Sequence, residues 1–408
     1  MISSVFLKNT FAMYVLTVVK LILPLVTLPY LTRILSVETY GIVAYVKAIM
    51  GYVQVFIDFG FIFSATQLVA LAVKTGKYKY INEIISSTLL AKVLLVCMSS
   101  LSVLYCYIKV PVLSNYGMFI FLMLLSTILT IFWMDFYFRG IEKMEIITYR
   151  FLFSKGVATI MIFLFVKSDA DLILMGVIEV IGTVIAAVFS VREMLKQQIK
   201  IYMPNLSAVF YALTHSGLYF CSTVSSTSFN LLITFLIGLY LAPKDVAYWS
   251  LAFQFVFGVQ MLYGPITDAL YPRMIKCFDK KLVYKLLIIM MPIIIIGCLV
   301  LYLFADWLVI ILAGIKYLPA AEILIYLIPL LLIAFPTILL GWPVLGAAGM
   351  VKQVTITTIL ASITQVVLLI CLIAFGAFTL LNISVVRCIT EFVFFVSRLF
   401  FVIKYRVL

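Results

Sequence analysis

The chain is a nearly unbroken series of apolar stretches, twelve of them long enough to cross a lipid bilayer, joined by short loops. A bilayer core takes roughly 20 apolar residues per helix and offers no water to unpaired backbone groups, so the series reads as a bundle of membrane-spanning helices. Hydrophobic residues make up 66% of the 408 positions, far more than a soluble fold of this length carries. The stretches lie at 11–31, 40–63, 82–108, 116–138, 146–166, 172–191, 214–240, 246–270, 284–304, 321–345, 355–375 and 378–403. Hardly any loop exceeds about 15 residues, which leaves no room for a soluble catalytic or nucleotide-binding domain. The fold class is therefore all-α and polytopic, and any function must use groups borne on helices.

Charge gives the topology. Counted with the first residue on the cytoplasmic side, the inner loops carry 19 basic residues and the outer ones 5, a strong positive-inside bias that places both termini in the cytoplasm. Arg139, Lys143 and Arg150 are among the inner group, as are Arg398, Lys404 and Arg406, whereas Arg33, Lys109, Lys167, Lys244 and Lys316 are the outer group. The formal charge of +13 is spread over many loops, which fits anionic membrane lipids rather than nucleic acid. Lys8 followed by an apolar run without a small-residue cleavage site predicts an uncleaved signal anchor. The seven cysteines are scattered and the single histidine is His215, so neither a metal nor a cofactor is implied. Gly76-Lys77 lacks the preceding glycine of a phosphate-binding loop, which excludes direct ATP hydrolysis.

Charges within the spans include Lys20, Lys47, Lys92, Lys155 and Arg387, with Asp58, Asp135, Glu179, Asp268 and Glu391. Each costs about 2.5–3.5 kcal/mol at mid-helix, so they should face protein or a hydrated cleft. Lys47, Gly51, Gln54 and Asp58 fall in one narrow sector of the second span, because steps of four, seven and eleven residues return to nearly the same helical face. Lys47 and Asp58 could alternatively snorkel to opposite membrane surfaces. Lys155 lies close enough to the cytoplasmic end to snorkel. Arg387 and Glu391, four apart, are placed to neutralise each other. Glu179 has no base on its own helix and must find one elsewhere or hold a proton. Pro24 and Pro29 in the first span and Pro329, Pro336 and Pro343 in the tenth favour bending there. Residues 307–314 are too short to cross and read as an interfacial segment.

The chain divides into halves. A cytoplasmic linker at 192–206 separates an N-terminal six-helix lobe, 1–191, from a C-terminal one, 207–408. Residues 35–44 align with 241–250 at an offset of 206, which also pairs Gln54 with Gln260. An even number of spans per half predicts parallel repeats about an axis along the membrane normal.

The stretches Pro29-Tyr-Leu-Thr-Arg-Ile-Leu35 with Tyr40-Gly41, Asp58-Phe-Gly-Phe-Ile-Phe-Ser-Ala-Thr66, Gly140-Ile-Glu-Lys-Met144 with Ile147-Thr148, and Gly314-Ile-Lys-Tyr317 resemble the polysaccharide transporter family. These are the O-antigen and related repeat-unit flippases of the multidrug/oligosaccharidyl-lipid/polysaccharide (MOP) exporter superfamily. Gln67 and Arg139 depart from the residues members often carry at those places, and no role follows for them. The resemblance implies a MATE-like arrangement of two six-helix lobes in a bacterial cytoplasmic (inner) membrane. It also implies transfer of an undecaprenyl-pyrophosphate-linked oligosaccharide to the periplasmic leaflet by alternating access, without enzymatic chemistry. The implied partners are lipid-linked oligosaccharide, membrane lipids, a polysaccharide polymerase and a chain-length regulator. Lys20, Lys47, Lys92 and Gln54 are the candidates for binding the anionic head group. Asp58, Asp135, Glu179, Asp268 and Glu391 are the candidates for ion or proton coupling. The alternatives are a small-molecule exporter of the same superfamily and an integral-membrane polysaccharide polymerase.

Overall fold

A computed structural model describes residues 4–407, with side chains from Lys8 onward except at 78, 228, 230, 268, 269 and 272. Helices run in the order α1 (Ser4–Ile34), α2 (Val37–Asp58), α3 (Phe61–Lys74), α4 (Tyr78–Lys109), α5 (Pro111–Ser114), α6 (Gly117–Leu129), α7 (Asp135–Gly140), α8 (Met144–Phe165) and α9 (Leu172–Lys196). They continue as α10 (Leu206–Tyr240), α11 (Pro243–Met261), α12 (Gly264–Lys276), α13 (Lys280–Leu303), α14 (Ala305–Ala313), α15 (Pro319–Leu339), α16 (Val351–Ala374) and α17 (Leu380–Lys404). No strand occurs among the described residues. Apolar runs dictate the helices, because only an intrahelical ladder satisfies the backbone in hydrocarbon. Polar caps then set several starts: the Ser36 hydroxyl accepts from Thr39 N at 3.2 Å, and Asp279 and Thr379 cap α13 and α17 in the same way.

Ten helices among the described residues are long and apolar enough to cross a membrane, and the count reaches eleven if α10, bent by 60°, is one span. The remaining expected stretch, 378–403, forms the 25-residue α17, which carries Arg387, Glu391, Arg398 and Lys404. The chain is thus a multi-pass membrane protein. Two of the expected spans in the first half prove to be broken helices. The second breaks where Phe59 and Gly60 adopt left-handed φ of 39° and 74° before α3 carries the span on. The fourth breaks after a 3₁₀ turn at Thr130–Trp133, with Met134 left-handed at φ 53°.

Two compact units emerge, one comprising 1–39 and 45–224, the other 40–44 and 225–408. The core of the first unit gathers Phe61, Val69, Ile85, Phe136 and Phe138 from α3, α4 and α7. In the second, α15 is the central helix, burying Leu324, Leu327, Leu331 and Phe335 against α11, α13 and α17. Residue-level repetition is plain in the helix ends: Ile34 and Tyr240 close α1 and α10, and Val37 and Pro243 open α2 and α11, each pair 206 residues apart. A broken fourth helix recurs too. α15 passes at Leu340 into a π-helical turn ending at Gly346, interrupted by Gly341 with ψ −113°, and Gly346 is again 206 beyond Gly140, the end of α7.

Candidate functional site

A cavity of about 320 Å³ lies within the first unit, lined by Lys20, Gln54, Asp58, Lys92, Trp133 and Asp135 among others. α1, α2, α4 and the break between α6 and α7 each contribute. Along α2, Lys47 is exposed and Gly51, Gln54 and Asp58 are half-buried, while Val46, Ile49, Val53 and Ile57 are buried. The polar sector read from the sequence is therefore the accessible face of the helix.

Asp58 organises one wall. Lys92 Nζ donates to its Oδ1 at 2.9 Å and Gln54 Nε2 to its Oδ2 at 2.8 Å, while Thr130 Oγ1 donates to Gln54 Oε1 at 2.9 Å. The Lys92 side chain is 7% exposed and that of Asp58 is 43% exposed, so the pair is anchored in protein on one side and open on the other. Asp135 holds the second wall. Its Oδ1 is 2.7 Å from Arg150 Nη2, whose other arm, Nη1, donates to the Trp133 carbonyl at 2.6 Å and to Ser190 Oγ at 3.0 Å. Lys20 stands apart: its ammonium lies over the Phe151 ring at 5.4 Å, with no carboxylate within ion-pair distance among the described residues. With Asp58 and Asp135 each balanced by a base, Lys20 leaves this cavity in positive excess.

Lys155 and Glu179 form a further ion pair between α8 and α9. This corrects the expectation that Lys155 snorkels, since a carboxylate one helix away offers a better partner than a distant interface, and it supplies Glu179 with its base. Lys47 is exposed on α2, within electrostatic range of Glu179, and does not line the cavity. Arg387 and Glu391 pair at 3.1 Å, both buried. The side chain of Asp268 lies outside the described residues. The four described acids proposed for coupling are all engaged in ion pairs.

Two basic residues counted in cytoplasmic loops belong elsewhere. Arg150 and Arg398 are buried in helices, because each satisfies a backbone carbonyl beside a broken span. The sequence signal for them was weak, as both lie near helix ends where loop and span charges look alike.

The motif residues act largely as joints. Asn9 Nδ2 donates to Glu142 O at 2.9 Å and its Oδ1 accepts from Met144 N at 3.2 Å, clamping the Gly140–Met144 turn to α1. Thr148 Oγ1 donates to Ala12 O at 2.8 Å, Thr66 Oγ1 to Phe136 O at 3.1 Å, and Tyr30 OH to Val166 O at 2.7 Å. Gly140 is required sterically, since a Cβ there would lie 2.5 Å from Val69 Cγ1. These joints fix the walls without entering the cavity.

Residues 6–278 match the family described as polysaccharide biosynthesis protein, about two thirds of the chain. The chain belongs to that family. The expected kinship with polysaccharide transporters of the MOP superfamily is borne out. Among curated relatives, a "putative O-antigen transporter" of Shigella dysenteriae is 27% identical over 66% of this chain and 67% of its own length. Another of that name from Escherichia coli (strain K12) is 26% identical over 62% of this chain and 60% of its own. The chain shares its fold with solved transporters. An inward-facing multidrug resistance MATE family transporter of the MOP superfamily superposes with a TM-score of 0.70 at 13% identity, covering 93% of this chain and 94% of that one. The lipid II flippase MurJ in an inward closed conformation gives 0.70 at 13% identity, covering 97% and 87%. The two structural likenesses establish the fold, which is all-α and MATE-like.

Proposed function

We propose that this chain translocates undecaprenyl-pyrophosphate-linked oligosaccharide repeat units, of the O-antigen or capsule type, from the cytoplasmic to the periplasmic leaflet of a bacterial inner membrane. The observation that carries the reading is the cavity of the first unit, whose carboxylates are balanced by bases and whose Lys20 remains in excess. An anionic head group needs such a site, whereas an exporter selecting organic cations needs unpaired carboxylates. The name carried by the two relatives supports the same substrate class. Lys20 and Lys47 attract the pyrophosphate, Gln54 offers an amide to sugar hydroxyls, and Lys92 acts through its pair with Asp58. Asp58 is the acid best placed to exchange its ammonium partner for an incoming ion, and Asp135, Glu179, Asp268 and Glu391 remain the further coupling candidates. The lobes 1–191 and 207–408, joined by 192–206, alternate access. Both termini are cytoplasmic, no covalent chemistry is required, and a polymerase and a chain-length regulator take up the product.

Deleting the gene and locating the lipid-linked units tests this. Units retained on the cytoplasmic leaflet, with synthesis intact, are expected. Unpolymerised units on the outer leaflet would make the chain a polymerase, and unaltered glycan with drug hypersensitivity would make it a small-molecule exporter.

A further inference from the structure

The four buried cations among the described residues are Lys92, Arg150, Arg387 and Arg398. Three have a carboxylate within 3.1 Å: Asp58, Asp135 and Glu391. Among the described residues Arg398, on α17 and only 6% exposed, has none within ion-pair distance, Glu391 being paired with Arg387 and acting on it only from further away. Its Nη1 donates to the Thr337 carbonyl at 2.6 Å, its guanidinium stacks on Phe394 at 3.9 Å, and its Nε is buried without an acceptor. A buried guanidinium held by one neutral carbonyl and a ring is incompletely compensated, since breaking or omitting the anionic partner of a buried charge is costly.

Comparison of the two halves shows what is missing. At the break in the first unit, Arg150 reaches a backbone carbonyl, stacks on Trp133 at 4.8 Å and pairs with Asp135. At the break in the second, Arg398 reaches Thr337 O and stacks on an aromatic ring, although it comes from α17 rather than from the helix equivalent to α8. The residue 206 beyond Asp135 is Gly341. The guanidinium is pressed against it, so that a Cβ there would lie 2.5 Å from Nη1. The position that holds the carboxylate in one half is bare in the other. In its place is a cavity of about 420 Å³ lined by Arg398, Thr267, Tyr271, Ile338, Trp342 and Phe394.

We propose that this cavity of the second unit binds the phosphate-bearing head group of a lipid, with Arg398 as the anion's partner. The guanidinium fork suits phosphate oxygens. Thr267 adds a hydroxyl and Tyr271 a phenol, and Trp342 and Tyr271, in edge contact at 6.3 Å, form an amphipathic wall of the kind found at membrane interfaces. Arg398 lies six residues before the end of α17 at Lys404, about 9 Å along the helix, a depth reached by lipid head groups. The site is independent of the reading given to the cavity of the first unit.

Trp342 lines the site and is half exposed, so it serves as reporter. The full chain in neutral detergent is titrated with a short-chain polyprenyl diphosphate, with phosphatidylglycerol and with inorganic pyrophosphate, and the fluorescence change absent from Trp342→Phe is followed. A saturable change is expected, about tenfold or more weaker in Arg398→Gln and partly kept in Arg398→Lys. Gly341→Asp, which places a carboxylate where the first unit has one, requires the guanidinium to shift from its 2.5 Å approach to the new Cβ and lowers the thermal midpoint, and its folded fraction should show no binding because Arg398 is then occupied internally. Preference for the polyprenyl diphosphate marks a substrate lipid, preference for phosphatidylglycerol a membrane lipid, and an equal response to pyrophosphate a free anion. Either lipid preference supports the proposal, whereas an equal response to pyrophosphate overturns its lipid assignment. Absence of any Trp342-dependent change with all three probes, or an undiminished one in folded Arg398→Gln or Gly341→Asp, overturns it.

Discussion

Within the cavity of the first unit, the charges divide into pairs that hold the walls and a cation that is left over. Asp135 and Arg150 are of the first kind: the guanidinium is buried and also ties the Trp133 carbonyl at the helix break. Asp135→Asn should therefore lower stability, by about 3–5 kcal/mol if the buried charge is left wholly unpaired, and reduced abundance in the membrane together with an earlier thermal midpoint would report it. Lys20 is of the second kind. Lys20→Glu at normal abundance should abolish transport by turning attraction for a phosphate into repulsion at reduced dielectric, while Lys20→Arg should retain much of it. Complementation with abundance measured alongside separates the two classes, and a Lys20→Glu variant with full transport would remove Lys20 from the site.

At the scale of elements, the broken helices matter most, because breaks expose carbonyls and turn polar side chains inward. The apolar runs made the helices legible in sequence, since each run had to satisfy its own backbone. The polar face of α2 was legible as well, because Lys47, Gln54 and Asp58 share a helix and their spacing alone fixes their direction. Arg150 with Asp135 and Lys155 with Glu179 were not legible, as their partners sit on different helices and meet only through packing. Nor could the sequence separate Arg398 from the loop basic residues that follow it. The Gly140 motif shows the same limit: its spacing points to a family, but its physical reason is the close approach of α7 to α3. Gly140→Val should push α7 off Val69 and Thr66 and cost about 1–3 kcal/mol or more by overpacking. Gly140→Ala should be milder, and equal membrane abundance for wild type and Gly140→Val would contradict the steric account.

For the molecule as a whole, the repeat at 206 residues supplies two halves with matching breaks but different charges, one break carrying Asp135 and the other Gly341. The topology is tested first. Reporter fusions in the loops near 77, 143, 200 and 279 should read as cytoplasmic and those near 115, 168, 242 and 316 as external, and two successive loops on the same side would refute the alternation. Transport itself is tested most directly with purified protein in liposomes, where the transbilayer movement of a fluorescent polyprenyl-diphosphate-linked oligosaccharide is measured by its accessibility to an outside quencher. The account predicts movement with wild-type protein well above protein-free vesicles, little with Lys20→Glu, and recovery with Lys20→Arg. Wild-type vesicles that move the lipid no faster than empty ones, when supplied with an ion gradient of either direction, would contradict it.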